Sequence, residues 1–294
     1  MSIKNCRLCP RGCSVSRTDT RGDGYCGMPD RPMVARAALH FGEEPCITGK
    51  NGSGTVFFSG CSLGCLFCQN RVISRDKYGK IITVEELAAL FRRLEEQGAH
   101  NINLVSPTHF AHQIRKALLL YKPKIPIIYN SGGYEKTETL RSLEGLIDVY
   151  LPDCKYVHGE LAAALSDAGD YFNYAAPALE EMIRQTGAVE IDENGMMRRG
   201  TMVRHLVLPG HIKESMAVLD HLSRYKDKIW VSLMFQYTPM GELAAHPELC
   251  RPLPRRECDK VWDYMLSVGI INGYVQDRAA SGHAMIPDFD LTGV

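Results

Sequence analysis

Thr55-Val-Phe-Phe-Ser59-Gly-Cys61-Ser-Leu-Gly-Cys65-Leu-Phe-Cys68 joins a short apolar, β-branched run to a loop carrying three cysteines. The run reads as a strand. Downstream of it the pattern alternates strand and helix. Thr83 is placed to cap a helix whose Val84, Leu87, Leu90, Phe91 and Leu94 recur at helical spacing up to Gly98. Asn101–Ser106 reads as a strand, 109–121 as a helix ended by Pro123, and Ile125–Asn130 as a strand closed by Ser131-Gly132-Gly133. A short helix over 136–144, a strand over 146–151 and two helical pieces within 160–186 follow. Asn194-Gly195 suits the tight turn of a hairpin over Val189–Arg198. Strands over Thr201–Leu208, Ile229–Phe235 and Ile270–Val275 enclose helices over 213–225 and 254–268.

Such alternation specifies βαβ units and a parallel sheet. The units fall short of eight, so the fold class is α/β, a partial (β/α)6 TIM-like barrel. Chemistry then belongs on the loops after the C-terminal strand ends. Residues 1–54 differ: they are rich in Cys, Gly, Pro and Arg, with a single short helix candidate over 33–40 and a flexible joint over Gly49–Gly54. They read as a small Cys-rich metal-binding module, and 55–294 as the barrel domain.

The chain has 294 residues, 34 basic and 34 acidic side chains and 11 cysteines, eight of them within the first 68 residues. The length holds a full core. Zero net charge argues against a nucleic-acid or anionic-membrane binder. No apolar run reaches membrane-helix length, and Met1–Cys6 leaves no room for a signal peptide's apolar core, so a cytoplasmic location is expected. A reducing cytosol disfavours disulfides, and the odd, clustered cysteine count suits metal ligation instead.

Cys61, Cys65 and Cys68 form C-x3-C-x2-C directly after a strand. Three thiolates can hold three irons of a [4Fe–4S] cube and leave the fourth open to an exogenous ligand. A zinc site would need a fourth ligand, which Cys46 could supply.

This loop, with Phe67 between its last two cysteines, resembles the signature of the radical S-adenosylmethionine (SAM) superfamily. The resemblance implies that SAM chelates the open iron, and that reduction yields methionine and a 5′-deoxyadenosyl radical, which abstracts hydrogen from a substrate. Further segments are similar to the pyruvate formate-lyase activating enzyme branch, which installs glycyl radicals on partner enzymes. Leu151-Pro-Asp153-Cys-Lys155 resembles its Asp-x-Lys SAM contact. Val203-Arg204-His205-Leu-Val-Leu-Pro209-Gly210 resembles its Arg-bearing strand, and Tyr129-Asn130-Ser131-Gly132 stands where it has a Thr-Asn-Gly turn. The N-terminal Cys-rich arm, NINLVSPTHF and SLMFQYTPM are closer still to uncharacterised activating-enzyme-type radical SAM proteins. The resemblance thus implies SAM contacts at Asn130, Ser131, Asp153, Lys155 and Arg204, a reducing flavodoxin or ferredoxin as electron donor, and a glycyl radical enzyme as protein substrate; Tyr237, at the end of the sixth strand, is placed either to face the adenosyl group or to pack.

Two departures stand out. The family's Gly-Gly-Glu-type strand end is replaced by Val105-Ser106-Pro107-Thr108-His109, so Ser106 and Thr108 must supply acceptors for the SAM ammonium. Tyr129 stands where the activating enzyme has an acidic residue of a cation site, so that site is not expected here. A substrate that is a small molecule or a peptide side chain, and a non-catalytic Fe–S or zinc protein that docks partners, are the alternatives.

Cys6-x2-Cys9-x3-Cys13-x12-Cys26 sets four thiols among glycines and Pro10. They suit a tetrahedral zinc site or a second Fe–S cluster, and metal binding would supply the folding energy that so small a module lacks. Arg204 on an apolar strand demands an anionic partner. Alternation turns Cys154 away from Asp153 and Lys155. With Cys46, Cys250 and Cys258 it reads as an ordinary thiol.

Overall fold

A computed structural model describes residues 3–276 and 287–294; Met1 and Ser2, part of the signal-peptide reading, lie outside them. Among the described residues ten strands occur: β1 Met33–His40, β2 Ser53–Phe58, β3 Lys80–Ile81, β4 Ile102–Val105, β5 Ile127–Ser131, β6 Val149–Pro152, β7 Glu190–Ile191, β8 Met197–Leu206, β9 Ile229–Met234 and β10 Gly273–Gln276. The sheet order is β10-β9-β8-β6-β5-β4-β2-β1-β3, with β7 hairpinned onto β8. From β2 to β10 along this path every pairing is parallel, whereas β1 runs antiparallel to both β2 and β3. Among the described residues the path has two ends, the open sheet of a partial barrel.

Helices Val84–Glu96, Ala111–Leu120, Thr137–Arg141, Gly159–Ser166 with Tyr171–Thr186, Ile212–Ser223 and Arg255–Ser267 link the parallel strands in turn. The first starts at a capping box: Thr83 Oγ1 accepts from the Glu86 amide while the Glu86 carboxylate accepts from the Thr83 amide. Its Leu87, Leu90, Phe91 and Leu94 bury against Val56, Ile102, Leu104 and Ile127 on the outer sheet face. A second outer core joins Val203, Val231 and Leu233 to Val218, Leu222 and Val261. Burying one such side chain stabilises by roughly 1.5–3 kcal/mol. The Asn194-Gly195 hairpin is present, with Gly195 at φ +78°, and the strand after it runs continuously as β8. Among the described residues no helix is long and apolar enough to cross a membrane.

The helix expected over 33–40 is instead β1. Its Ala-rich Met-Val-Ala-Arg-Ala-Ala-Leu-His has helical propensity, but pairing with Ser53–Phe58 overrides it, and Val34, Ala35 and Ala37 are buried as strand residues. Ser53 and Gly54, read as part of a joint, already belong to β2. β1 leads to the corner Glu43-Glu44 and the short helix Pro45–Thr48, whose Cys46 and Ile47 pack inside the barrel with Ile128, Val149, Leu151 and Met202. The corner and the helix Pro45–Thr48 therefore plug the end of the barrel opposite the C-terminal strand ends.

Candidate functional site

The loop after β2 carries Cys61, Cys65 and Cys68. Gly60 turns the chain at φ +79°, and its amide bonds Ile73 O at 2.8 Å. Gly64 N and Leu66 N donate to Ser166 O and Leu165 O, tying the loop to the end of helix Gly159–Ser166. Two hydroxyls meet the sulfurs: Ser166 Oγ lies 3.0 Å from Cys65 Sγ, and Ser74 Oγ 3.3 Å from Cys68 Sγ. The sequence reading missed both; a serine near the loop has no spacing signature of its own.

Burial pushes the Cys61 thiol up to about 12, with Cys65 and Cys68 adding repulsion. Burial likewise raises Cys68. Three crowded, buried thiols need cationic metal to exist as thiolates. Among the described residues no three His, Cys, Asp or Glu side chains surround a common point as around one bound ion. A cubane asks for something else, one thiolate at each of separate iron corners, and a three-thiol loop beside a cavity supplies that donor set.

The cavity, about 290 Å³, is lined by all three cysteines and by Ser106, Asn130, Ser131, Asp153, Lys155 and Arg204. Strand ends bring these together from β4, β5, β6 and β8. Ser106 holds a left-handed φ of +57°, rare for a side-chain-bearing residue, and its amide bonds Asn130 O at 2.9 Å. Lys155 Nζ lies 2.6 Å from Asp153 Oδ2. Burial opposes the lysine's charge, and the Asp153 carboxylate outweighs it and raises the pKa. Tyr171 OH donates to Asp153 O and accepts from the Lys155 amide, fixing the segment. Cys154 points into the outer core with Leu179 and Val203, as alternation requires.

Two expected contacts do not line the cavity. Thr108 Oγ1 instead donates to Glu135 Oε1 at 2.5 Å, in a buried group with Tyr129. Tyr237 OH donates to Leu249 O and its ring stands against Phe67, a packing position. Arg204, read as a partner for the SAM carboxylate, has its anionic partners within the chain. Its Nε donates to Glu44 Oε1 at 2.9 Å and its Nη2 reaches both Glu44 and Glu43. A plain Glu-Glu pair 160 residues upstream gave no sequence signal.

The N-terminal cysteines sit near one another. Cys6, Cys13 and Cys26 each raise the Cys9 thiol, behind burial, which pushes it up to about 12. Arg17 is fully buried and donates to the carbonyls of Met28, Pro29 and His109, with Nη1 3.7 Å from Cys6 Sγ. The module leans on the cluster loop. Arg11 Nε donates to Ser62 O at 2.8 Å and its guanidinium covers the Tyr25 ring at 3.7 Å, while Arg75 donates to Tyr25 OH.

Residues 55–222 match the family model of the radical SAM superfamily, and the chain belongs to that superfamily. Membership implies a [4Fe–4S] cluster, SAM and an oxidoreductase-type radical chemistry. The uncharacterized protein MJ0674 of Methanocaldococcus jannaschii is 31% identical over 268 residues, 88% of this chain and 73% of that protein. SuiB of Streptococcus suis, solved bound to S-adenosylmethionine, superposes with a TM-score of 0.53 at 14% identity over 78% of this chain. Methylornithine synthase (PylB) gives 0.50 at 16% identity, over 82% of this chain and 72% of its own. The chain spans about half the length of the SuiB structures it matches. At these identities the two structures speak for the fold.

Proposed function

We propose that this protein is a radical SAM enzyme that abstracts hydrogen from a substrate. The observation carrying this is the shared cavity of Cys61, Cys65 and Cys68 with Ser106, Asn130, Ser131, Asp153 and Lys155. When bound, cluster and SAM supply reductive sulfonium cleavage and a 5′-deoxyadenosyl radical. The chain's residues do the holding. The three cysteines take one iron each. Asn130, Ser131 and the Asp153–Lys155 pair offer donors and acceptors to SAM, and Ser106 offers an acceptor to its ammonium. Purified without oxygen, reconstituted with iron and sulfide and given dithionite and SAM, the protein should yield 5′-deoxyadenosine and methionine. Cys61→Ala, Cys65→Ala and Cys68→Ala should each lose both products. A fully loaded protein that makes neither would point to a non-catalytic Fe–S or zinc protein that docks partners.

Family resemblance favours a glycyl radical enzyme as substrate, with reduced flavodoxin or ferredoxin as electron donor, in the cytoplasm. A partner carrying the radical should show a doublet EPR signal after incubation. The cavity's polar floor, built by Glu43, Arg204 and Gln276, favours a second reading, a small molecule or a peptide side chain. Persistent 5′-deoxyadenosine formation without the doublet would select it.

Cys6, Cys9, Cys13 and Cys26 supply the thiols of a second centre, zinc or Fe–S; zinc would require them to draw in around one point, an arrangement not present among the described residues. Arg17 supports it: among the described residues this buried guanidinium meets carbonyls and a cysteine sulfur but no carboxylate. A buried cation without an anion is costly, and a tetrathiolate metal centre carries the negative charge it needs. Elemental analysis of the protein and of its Cys9→Ala variant distinguishes zinc from iron; equal metal content in the two would remove the second site.

A further inference from the structure

Among the described residues, the floor of the cavity carries one more negative charge than its cations neutralise. Glu43 and Glu44 arrive from the corner after β1, at the barrel end away from the cluster loop, and share the single guanidinium of Arg204. Glu44 takes it in a two-pronged grip and is fully buried; Glu43 lines the cavity. Burial, against the pull of Glu43, lowers the pKa of His40 on the same wall, so this imidazole adds no positive charge near neutrality. Nearby Arg36 is engaged by Asp290 at 2.9 Å.

The surplus is matched by orphaned acceptors, and their identity follows from the network. Gln276 Nε2 donates to Glu44 Oε1 at 3.1 Å, which turns Gln276 Oε1 towards Gln236. Gln236 Nε2 donates to that oxygen, so the group left buried and unpartnered on Gln236, itself in the cavity wall, is Oε1, an acceptor. Behind Glu43 the same logic holds. Asn103, wholly buried, donates from Nδ2 to Glu43 Oε1 at 2.8 Å and is left with a free Oδ1. A buried polar atom without a partner costs free energy, so an occupant rich in donors is called for.

We propose that Glu43 and Gln236 Oε1 seat a primary ammonium group of the substrate, with Leu206 and Met234 lining the same cavity for its alkyl chain. The occupant's role as substrate rests on the radical SAM reading above; its charge does not. A carboxylate or phosphate in this place would face Glu43 with no free cation among the described residues to meet it. A neutral alcohol would leave the surplus charge unanswered. An alkylammonium answers both the charge and the acceptors.

The test uses the cluster-loaded protein, kept anaerobic, with n-butylammonium as probe and 1-butanol and butyrate as neutral and anionic counterparts. Titration calorimetry or saturation-transfer NMR should show n-butylammonium binding roughly tenfold or more tightly than either, since charged hydrogen bonds are strong enough for that margin. Glu43→Gln should abolish most of the preference, and Gln236→Leu should reduce it. Should Glu43→Gln fail to fold, Gln236→Leu decides alone. Equal affinity for the three probes, or an unchanged preference in the variant, would overturn the assignment. SAM added to the same sample must leave the bound ammonium in place. If SAM expels it, these acceptors serve SAM's own ammonium and the substrate seat is wrong. The readout is binding, so a failure of SAM cleavage would count against the radical reading and leave this one standing.

Discussion

Arg204 and Glu44, 160 residues apart in the chain, form a buried two-pronged pair, Nε to Oε1 at 2.9 Å and Nη2 to Oε2. The pair locks the N-terminal corner to β8 inside the barrel. Burial disfavours the charge on both, yet Arg204 outweighs that penalty at Glu44 and holds the carboxyl below its ordinary value. Removing one member of such a pair leaves an uncompensated buried charge. Glu43 softens the loss, so Glu44→Gln should cost about 3 kcal/mol, a fall of roughly 5–10 °C in thermal midpoint. The two proteins are compared at one scan rate. A midpoint within a degree of the parent would show that the pair contributes nothing net.

The same pair shows what the sequence can and cannot disclose. The three-cysteine loop is readable because strand, turn and ligand spacing all lie within the fourteen residues from Thr55 to Cys68. Asp153 and Lys155 are readable through their resemblance to an Asp-x-Lys motif at a strand end, and both do line the cavity. β1 was hidden because Met33–His40 is locally helical in composition and becomes a strand only through its pairing with Ser53–Phe58. Glu43 and Glu44 were hidden for the same reason at longer range. Thr108 looked like a cavity hydroxyl, but the 3-10 turn Thr108–Phe110 puts it beside buried Glu135, a carboxylate that nothing in the local pattern marks. Local chemistry was legible; the partners chosen by tertiary closure were not.

Gly133 backs directly onto the Asp153 segment. Its φ is +77°, and a Cβ there would stand 2.1 Å from Asp153 O and 2.7 Å from Tyr171 OH. The first is backbone and cannot rotate away. Gly133→Ala should therefore destabilise the protein by roughly 1–3 kcal/mol and displace the Asp153–Lys155 pair. SAM affinity, measured by equilibrium dialysis on the cluster-loaded protein, should fall along with stability. Unaltered SAM binding in a destabilised variant would detach Asp153 and Lys155 from the cofactor.

Ser166 links two things, the helix end that anchors the cysteine loop and the sulfur of Cys65 at 3.0 Å. Against a metal-bound thiolate its hydroxyl must donate. Hydrogen bonds to cluster sulfurs draw electron density away and raise the reduction potential. Ser166→Ala should thus make the cluster harder to reduce, with its midpoint more negative in an EPR-monitored redox titration. Cysteine ligation is untouched, so iron content should stay the same. A potential equal to the parent's would mean that the contact does not persist once the cluster is bound.

Glu135 is wholly buried beneath Ser131, accepting from Thr108 Oγ1 at 2.5 Å and from Tyr129 OH at 3.3 Å. Burial raises its pKa from 4.5 to about 7, and the hydrogen bonds from Thr108, Ser131 and Tyr129 offset this only in part. The folded value lies above the unfolded one. The protonated carboxyl's contribution is therefore fully present below about pH 4.5 and is lost as pH rises through about 7. Between those limits the parent should lose up to about 3 kcal/mol relative to a variant that cannot ionise here. Glu135→Gln keeps a donor and an acceptor in place without the titration. Urea unfolding at pH 5, 6, 7 and 8 should show the parent's stability declining against the variant's as pH rises. Parallel curves would mean that Glu135 stays in one protonation state throughout, and that this pocket under the Ser131 turn does not respond to pH.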